Sequence, residues 1–305
     1  MQRYILSRLG QAVVSLVAVS MVIFVIVRLT GDPMQVLMPP EASQADIAVA
    51  RAAYGFDKSW PEQYAVFLSQ AVRGDFGSSL RFRRPALDLV RERYPNSLLL
   101  GGIALLFALS VALPVGVYSA VHRGTGLDYF SRAMAAFGQA VPPFWLGLVL
   151  ILLFGVIFHV LPTSGIGTPA HLVLPAFTLG WFAVAGLTRL TRSAMLDVLG
   201  AEFIKLARLK GLPEHQVIWK HAFKNAALPV LTFAALLFVA LLNGAIIVET
   251  VFNWPGVGLL VIEAVFNRDY PVVQTVVLIL SAMYICANFL VDILYAYVNP
   301  KIRYS

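Results

Sequence analysis

The basic segment at residues 189–224 centres on the sequence Ala207-Arg208-Leu209-Lys210-Gly211-Leu212-Pro213. One apolar run ends near Leu190, and the next begins at Leu228. Between them, seven Lys and Arg residues outnumber three Asp and Glu residues. Cationic connections between apolar runs are typical of the cytoplasmic side of a membrane protein. The segment therefore predicts a structured cytoplasmic loop that is available to a partner.

The composition indicates a membrane protein. Of the 305 residues, 59% are hydrophobic and 13% are charged, whereas a soluble domain carries about 25% charged residues. The mean hydropathy is +0.78. The net charge of +7 comes from residues between apolar runs, which indicates topology signals rather than a nucleic-acid surface. The single cysteine, Cys286, lies in an apolar run, so we expect a buried packing residue and neither a disulfide framework nor a cysteine-rich metal site.

Six apolar stretches are long enough to cross a bilayer as helices of about 20 residues. Helices are the only interpretation, because a spanning segment must satisfy its own backbone hydrogen bonds and barrel strands would be shorter and alternating. The first stretch is a retained span rather than a signal peptide, since no small-residue cleavage site follows it. The predicted spans are 9–29, 97–121, 133–160, 172–190, 228–248 and 272–298. The predicted fold class is thus an all-α membrane protein with six transmembrane helices.

Two of these spans carry helix-breaking residues. Gly180 and Gly186 make the fourth span the weakest. The pair Pro142-Pro143 predicts a break or kink near the start of the third.

The charges of the connections orient the spans. The N-terminus, the connection at 122–132, the basic segment and the C-terminus carry an excess of Lys and Arg, and all fall on one side of a six-span protein. The connection at 161–171 has no charged residue, and the one at 249–271 is acidic. Both termini are therefore expected in the cytoplasm.

The longest connection, 30–96, carries eight basic and eight acidic residues and is too long for its charges to set orientation. Start and stop signals predict three helices in it. They lie at 44–54 between Ser43 and Gly55, from Ser59 or Trp60 to Gly74, and at 86–94 after Pro85. Because aromatic residues recur along the segment, a folded external domain is favoured over a disordered linker. The chain then divides into 1–29, an external domain at 30–96, and a core at 97–305.

Within the basic segment, the signals predict two helices separated by a glycine. The spacing of Leu196, Leu199, Phe203 and Leu206 predicts a helix over 193–209. Gly211 suits a left-handed stop, and Pro213 suits the first turn of a second short helix at 213–224. We expect this connecting loop to occupy about 191–227.

The segment Ala207-Arg208-Leu209-Lys210-Gly211, followed by His221, Asn225 and Pro229, resembles the cytoplasmic EAA loop of ABC-importer permeases. It is most similar to the first permease of oligopeptide, dipeptide, nickel and glutathione importers, whose pattern is A-R-x-K-G and then H-x-x-x-N-x-x-x-P. Other motifs of that family follow in order along nearly the whole chain. They are Gly31-Asp32-Pro33, Gly74-Asp75-Phe76-Gly77, Val141-Pro142-Pro143-Phe144-Trp145, Leu161-Pro162-Thr163-Ser164-Gly165, Glu249-Thr250-Val251-Phe252-Asn253-Trp254-Pro255-Gly256-Val257-Gly258, Arg268-Asp269-Tyr270-Pro271, Asp292-Ile293-Leu294-Tyr295-Ala296 and Asn299-Pro300-Lys301-Ile302-Arg303-Tyr304.

One departure limits the resemblance. The general importer motif begins with Glu, whereas Lys205 stands near that position here, and Leu228-Pro229 comes later than the corresponding Leu-Pro of that motif. Peptide-type permeases share this difference. The Glu-mediated contact of other importers is therefore not transferred to Lys205.

The resemblance implies how the protein is driven. The short helix after Gly211 would dock into a groove on a cytoplasmic ATPase subunit, and ATP-driven closure of two such subunits would rock the spans between inward-open and outward-open states. Gly211 would also allow a close backbone approach. The implied coupling residues are Glu202, Ala207, Arg208, Lys210, Gly211, Pro213, His221 and Asn225. The alternative from the residues alone is a basic interfacial helix that rests on anionic lipid.

The resemblance also implies partners and location. The partners are a second homologous permease subunit, two ATP-binding subunits, an external substrate-binding protein and membrane lipid, with no nucleic acid. The location is the inner membrane of a bacterium or an archaeon. The implied cargo is peptides, with nickel chelates, glutathione and other small solutes as alternatives. The chain has no G-x-x-x-x-G-K-[ST] phosphate loop, so ATP and Mg are expected on the partner subunits and no catalytic, cofactor or metal residue is expected here.

Two further sets of residues are candidates for binding. Arg81, Arg83 and Arg84 form a basic patch in the external domain for docking of the binding protein, or an ordinary solvated face. Asn243, Asn288 and Asp292 are the polar residues inside predicted spans. Such groups usually face protein or water, so they are either ties between helices or contacts to cargo.

Two other functional classes remain as alternatives. An ion-gradient-driven secondary transporter or channel would usually contain internal repeats, which the sequence lacks. An intramembrane protease would need a serine at depth with a neighbouring histidine. Ser164 and His171 are the nearest candidates, but Ser164 falls in a short external turn.

Overall fold

The computed structural model describes residues 2–32, 34–38 and 41–298, with side chains for 6–32, 34, 37–38 and 41–289. Pro33, the motif at 299–304 and the side chain of Asp292 lie outside these residues. Helices make up 79% of the chain and the described part contains no strand, which confirms the all-α class. The helices are α1 (Gln2–Leu29), α2 (Met34–Leu37), α3 (Gln44–Ala53), α4 (Trp60–Val72), α5 (Ala86–Val121), α6 (Gly126–Ala140), α7 (Pro143–Leu150), α8 (Ala170–Leu199), α9 (Glu202–Leu209), α10 (Glu214–Gln216), α11 (Lys224–Val251), α12 (Val257–Phe266) and α13 (Tyr270–Val298).

Among the described residues, five helices are long and apolar enough to span a membrane: α1, α5, α8, the helix from Glu214 to Val251, and α13. The third predicted span is instead a bent pair, in which Gly126–Ala140 and Pro143–Ile157 meet at 101°. The break predicted at Pro142-Pro143 is therefore confirmed. Val141 and Pro142 are extended, because the helical region is disfavoured for a residue before proline and Pro143 lacks the N–H that would continue the helix.

The chain divides into two compact units, one of which comprises residues 1–96 and 255–305. In this unit α1 packs along α13, α12 packs on α13, and α4 lies against α1. The predicted caps are confirmed, since Ser43 forms a capping box with Asp46 and Gly55 has φ +69°. The helix predicted at 86–94 is not separate, because α5 continues through Pro95 into the second predicted span.

The other unit comprises residues 97–254. Its core is built around α8, which packs against α6, α7 and α11. Gly180 allows a close approach to α5, since a Cβ there would lie 2.7 Å from the carbonyl oxygen of Ala104. At Gly186 a Cβ would meet the Phe233 ring at 3.5 Å, an ordinary contact. The glycines therefore do not interrupt the fourth span, and Gly180 brings α5 and α8 together.

The basic segment differs from its prediction at both ends. The first predicted helix, 193–209, is broken, because α8 continues to Leu199 and α9 begins only at Glu202. The second, 213–224, does not end at Lys224. Its turn at α10 passes through a π-helical stretch, Val217–Phe223, directly into α11. No glycine or proline stands between Lys224 and Leu228 to stop the helix.

Candidate functional site

The bend at Gly211 has a complete helix-ending hydrogen-bond pattern. The Gly211 N–H donates to the Arg208 carbonyl at 2.9 Å, and the Leu212 N–H donates to the Ala207 carbonyl at 3.4 Å. This pair of bonds is the Schellman motif, which needs a left-handed residue at its turn. Gly211 has φ +73°, and no heavy atom lies within 4 Å of the position a Cβ would take. Within the chain, glycine is therefore required by the backbone angle rather than by a close contact.

An ion pair crosses the bend. Arg208 donates from Nη2 to Glu214 Oε1 at 2.7 Å and from Nε to Oε2 at 3.2 Å. Glu214 is the first residue of α10 and lies outside the apolar part of the helix that follows. Hydrogen bonding from the Arg208 guanidinium lowers the pKa of the Glu214 carboxyl below its ordinary value. The pair thus links the last turn of α9 to the first turn of α10.

The inner side of the loop is anchored by apolar packing. Ile204 and Ala207 of α9 are buried, as are Val217 and Ile218 in the π-helical stretch. They pack with Val117, Ala120, Met195, Ala222 and Ala226 in one cluster. Because this cluster joins the ends of α5 and α8 to the loop, the bend is fixed to two spanning helices.

The outer side of α9 exposes large apolar residues. Phe203, Leu206 and Leu209 are 44%, 56% and 83% exposed. Lys205 and Lys210 are exposed as well. Ile204 and Ala207, rather than Phe203 and Leu206, are the buried residues of this helix. The loop therefore presents an apolar and basic outer face.

The remaining predicted coupling residues lie in the same segment. Glu202 opens α9 and accepts from Lys205 Nζ at 2.8 Å. Pro213 is extended and precedes the first turn of α10. His221 lies in the π-helical stretch, and Asn225 Nδ2 donates to its carbonyl at 2.7 Å. Short π-helical turns are frequent at functional sites.

A buried polar network beside this loop was not predicted from the sequence. Asp128 on α6 is 1% exposed. It accepts from Arg192 Nε at 2.7 Å and Nη2 at 3.0 Å, from Ser119 Oγ at 2.7 Å, and from the Gly124 N–H at 3.0 Å. The network ties α5, α6 and α8 together. The basic residues at 122–132 and 189–192 indicated the topology. No local sequence pattern, however, predicts that Asp128 pairs with Arg192, which lies 64 positions away.

The external arginines lie on a loop that is held by hydrogen bonds. Arg81, Arg83 and Arg84 are all exposed, and Arg83 has φ +53°. Arg84 pairs with Glu92, so part of the predicted positive patch is neutralised. The loop is held by Asp269, which accepts from the Ser79 hydroxyl and from the Leu80 N–H.

Several motifs that are distant in sequence meet. Arg268 Nη1 donates to the Asp32 carbonyl at 3.1 Å, and the Tyr270 hydroxyl donates to the Gly31 carbonyl. In the other unit, the Gly165 N–H donates to the Phe252 carbonyl at 2.9 Å.

The polar residues inside the spans are engaged with their own helices. Asn243 Nδ2 donates to the Val239 carbonyl at 3.4 Å, and Asn288 Nδ2 donates to the Tyr284 carbonyl at 3.0 Å. Neither geometry selects a cargo contact. Cys286 was expected to be buried, but it is exposed on the surface of α13.

His171, the histidine considered for a protease, is engaged locally, since its Nδ1 accepts from the Thr168 N–H at 3.1 Å. Across the described residues, no three His, Cys, Asp or Glu side chains are arranged to hold a metal ion.

Comparison with known proteins decides the family. A family model described as "Binding-protein-dependent transport system inner membrane component" matches residues 112–304, and the corresponding N-terminal model matches 1–101. The chain belongs to this family of importer permeases. The permease is 39% identical to the oligopeptide transport system permease protein AppB of Bacillus subtilis, and alignment covers 100% of both chains. It is also 39% identical to the glutathione transport system permease protein GsiC of Escherichia coli K12, again over 100% of both.

Solved structures support the same fold. The permease resembles a chain of the inward-facing MetNI methionine ABC transporter with a TM-score of 0.59 at 22% identity, over 70% of the permease and 97% of that chain. An amino acid ABC transporter matches with a TM-score of 0.51 at 13% identity, over 69% and 94%. The permease is thus a multi-pass inner-membrane subunit of an ABC importer, and such permeases work with ATPase and substrate-binding partners.

Proposed function

We propose that this permease forms half of the translocation path of a peptide importer. A second homologous permease forms the other half, two ATP-binding subunits carry ATP and Mg, and an external binding protein delivers cargo. The observation that carries the cargo class is the 39% identity along the whole chain to AppB, an oligopeptide permease. The equal identity to GsiC keeps glutathione, itself a small peptide, within the same class.

The loop around Gly211 is the proposed coupling element. Its inner face is packed on α5 and α8, while Phe203, Leu206 and Leu209 are exposed beside Lys205 and Lys210. Exposed apolar residues next to cations suit a protein groove, because large apolar surfaces on a soluble loop usually mark an interaction site. The ATPase subunit would contact this outer face. Glu202, Ala207, Pro213, His221 and Asn225 belong to the same coupling element.

The orientation follows from this role. The basic segment and both termini would lie in the cytoplasm of a bacterium or an archaeon, and Arg81 and Arg83 would face the binding protein on the other side. A C-terminal fluorescent fusion is expected to report from the cytoplasm, and fluorescence only from outside would contradict the topology.

The complete assembly tests the proposal. A tagged permease is purified from its own membranes, and the co-purifying subunits are identified by mass spectrometry. The co-purifying binding protein is then screened for thermal shifts with dipeptides, oligopeptides, glutathione and nickel chelates. We expect a peptide to stabilise it and, with it, to stimulate ATP hydrolysis by the complex. Transport that continues in ATP-depleted, energised vesicles would instead indicate a secondary transporter.

A further inference from the structure

An apolar groove runs along α1 in the unit formed by residues 1–96 and 255–305. Its cavity of about 290 Å³ is lined by residues of α1, α4 and α13, including Val13, Val17, Phe67, Leu278 and Ala282. All of these are apolar, and the two helices that frame the groove, α1 and α13, are apolar enough to span a membrane. We call this cavity the α1 groove.

The α1 groove continues into a polar cavity. This second cavity, of about 270 Å³, shares Phe67 and Phe76 with the groove. It also contains Arg28, Lys58 and Gln274. We call it the head pocket. The α1 groove is apolar and the head pocket is cationic. Together they match a ligand with an apolar tail and an anionic head.

Arg28 is the half-buried positive charge of the head pocket. Its Nε donates to Gln63 Oε1 at 3.0 Å and its Nη1 donates to the Phe24 carbonyl at 3.3 Å. A guanidinium has five N–H donors, so these two bonds leave three for another acceptor. Across the described residues, Arg28 has no carboxylate partner, and Asp32, the next acid along the chain, is paired with Arg51. A half-buried cation without an anion is costly, which favours an anion from outside the chain.

Gln274 provides a second, independent indication. It is 5% exposed, it lines the head pocket, and its Nε2 has no hydrogen-bond partner. Buried side-chain donors are normally satisfied, so an unpartnered one at a cavity wall indicates a ligand with acceptor atoms.

The dimensions agree with a lipid. Residues 13 and 28 of α1 are separated by about 22 Å, from 1.5 Å per residue. Half of a bilayer with its headgroup region measures about 20–22 Å. We propose that the α1 groove and the head pocket bind one anionic glycerophospholipid, with the phosphate beside Arg28 and an acyl chain against Val17, Leu278 and Ala282.

Native mass spectrometry on the purified complex tests this site. The complex is stripped of lipid and titrated with phosphatidylglycerol, with phosphatidylcholine and, as a headgroup without acyl chains, with glycerol 3-phosphate. We expect Arg28→Gln to weaken phosphatidylglycerol binding about tenfold or more, because a charge-assisted hydrogen bond is lost. Arg28→Lys should retain most binding, and Arg73→Gln, at an exposed arginine outside both cavities, should have no effect.

A second variant separates the acyl chain from the phosphate. Ala282→Trp fills the α1 groove without touching the charge and is expected to weaken phosphatidylglycerol binding as well. The proposal is overturned if Arg28→Gln and Arg73→Gln bind phosphatidylglycerol equally, or if Ala282→Trp leaves binding unchanged. Binding of glycerol 3-phosphate as tight as that of the lipid would also overturn it, since the site would then take free phosphate esters.

Discussion

Arg208 and Glu214 join the two sides of the Gly211 bend through two parallel hydrogen bonds, with Nη2–Oε1 at 2.7 Å. Both side chains are near water, so the pair itself stabilises the chain by only about 0.2–1 kcal/mol. Its main effect is on the angle between α9 and α10, which a bidentate arginine–carboxylate pair restricts.

The first prediction concerns this pair. Glu214→Gln should reduce cargo-stimulated ATPase activity in the complex more than it reduces thermal stability, and the charge exchange Arg208→Glu with Glu214→Arg should restore part of the activity. The lowered pKa of the Glu214 carboxyl also sets the direction in which stability depends on pH. A depressed carboxyl pKa contributes stability above the unfolded-state pKa of about 4.3, and this contribution is lost as the pH falls through the folded-state pKa. If Glu214→Gln and the charge-exchanged variant have equal cargo-stimulated ATPase activity, the ion pair has no role in coupling.

The second prediction compares two glycines of the basic segment. Gly211→Ala should destabilise the bend by about 1–2 kcal/mol, because an L-residue is strained in the left-handed region. Gly200→Ala is the matched control, since Gly200 has φ −81° and open space at its Cβ. Thermal unfolding and ATPase coupling are measured on both. Asn tolerates the left-handed region, so Gly211→Asn should cost less than Gly211→Ala.

The third prediction concerns the buried network. Asp128→Asn should lower the free energy of unfolding by about 1.5–3 kcal/mol, because Arg192 loses its charged hydrogen-bond partner. Asp197→Asn removes the same charge from an exposed position on α8 and should be nearly neutral. Unfolding in detergent, followed by circular dichroism, measures both. A similar loss for the two variants would show that the network does not hold α6 to α8.

The fourth prediction concerns the contact between α5 and α8. Gly180→Ala places a Cβ 2.7 Å from the Ala104 carbonyl oxygen, and overpacking of this kind costs about 1–3 kcal/mol. Gly186→Ala meets only an ordinary contact at 3.5 Å and should be neutral or slightly stabilising. Melting temperatures of the two variants in the same detergent test this prediction. Equal melting temperatures would contradict it.

The fifth prediction concerns docking of the binding protein. Arg83→Gln should weaken the affinity a few-fold and flatten its dependence on salt, because an exposed charge mainly steers association. Arg84→Gln should have a smaller effect, since Glu92 already engages that side chain. Surface plasmon resonance at two salt concentrations, with the complex in nanodiscs, measures both. If both variants bind the binding protein as the unsubstituted permease does, this patch is an ordinary solvated face.

Much of the helical pattern could be predicted, because apolar runs, caps and breakers act locally. The Ser43 cap, the left-handed Gly211 and the break at Pro142-Pro143 are all encoded within a few residues. The orientation of α9 could not be predicted. Both Ile204 with Ala207 and Phe203 with Leu206 form apolar stripes at helical spacing, and spacing does not say which stripe the chain buries and which it leaves exposed.

Pairings between side chains that are distant in sequence could not be predicted either. Asp128 and Arg192 are 64 positions apart, and Asp269 meets Leu80 across 189. Only the packed helices bring these side chains together. The uninterrupted passage from Lys224 into α11 was missed for a different reason, since the absence of a stop signal is weak evidence that a helix continues.

The helix from Glu214 to Val251 has 38 residues and begins at the bend. At 1.5 Å per residue it is about 57 Å long. A tilt of about 10° at the loop end would displace the other end by about 10 Å, from the same rise per residue. If an ATPase subunit contacts the loop as proposed, a small rotation of one turn there would move the opposite end of this span by several ångströms.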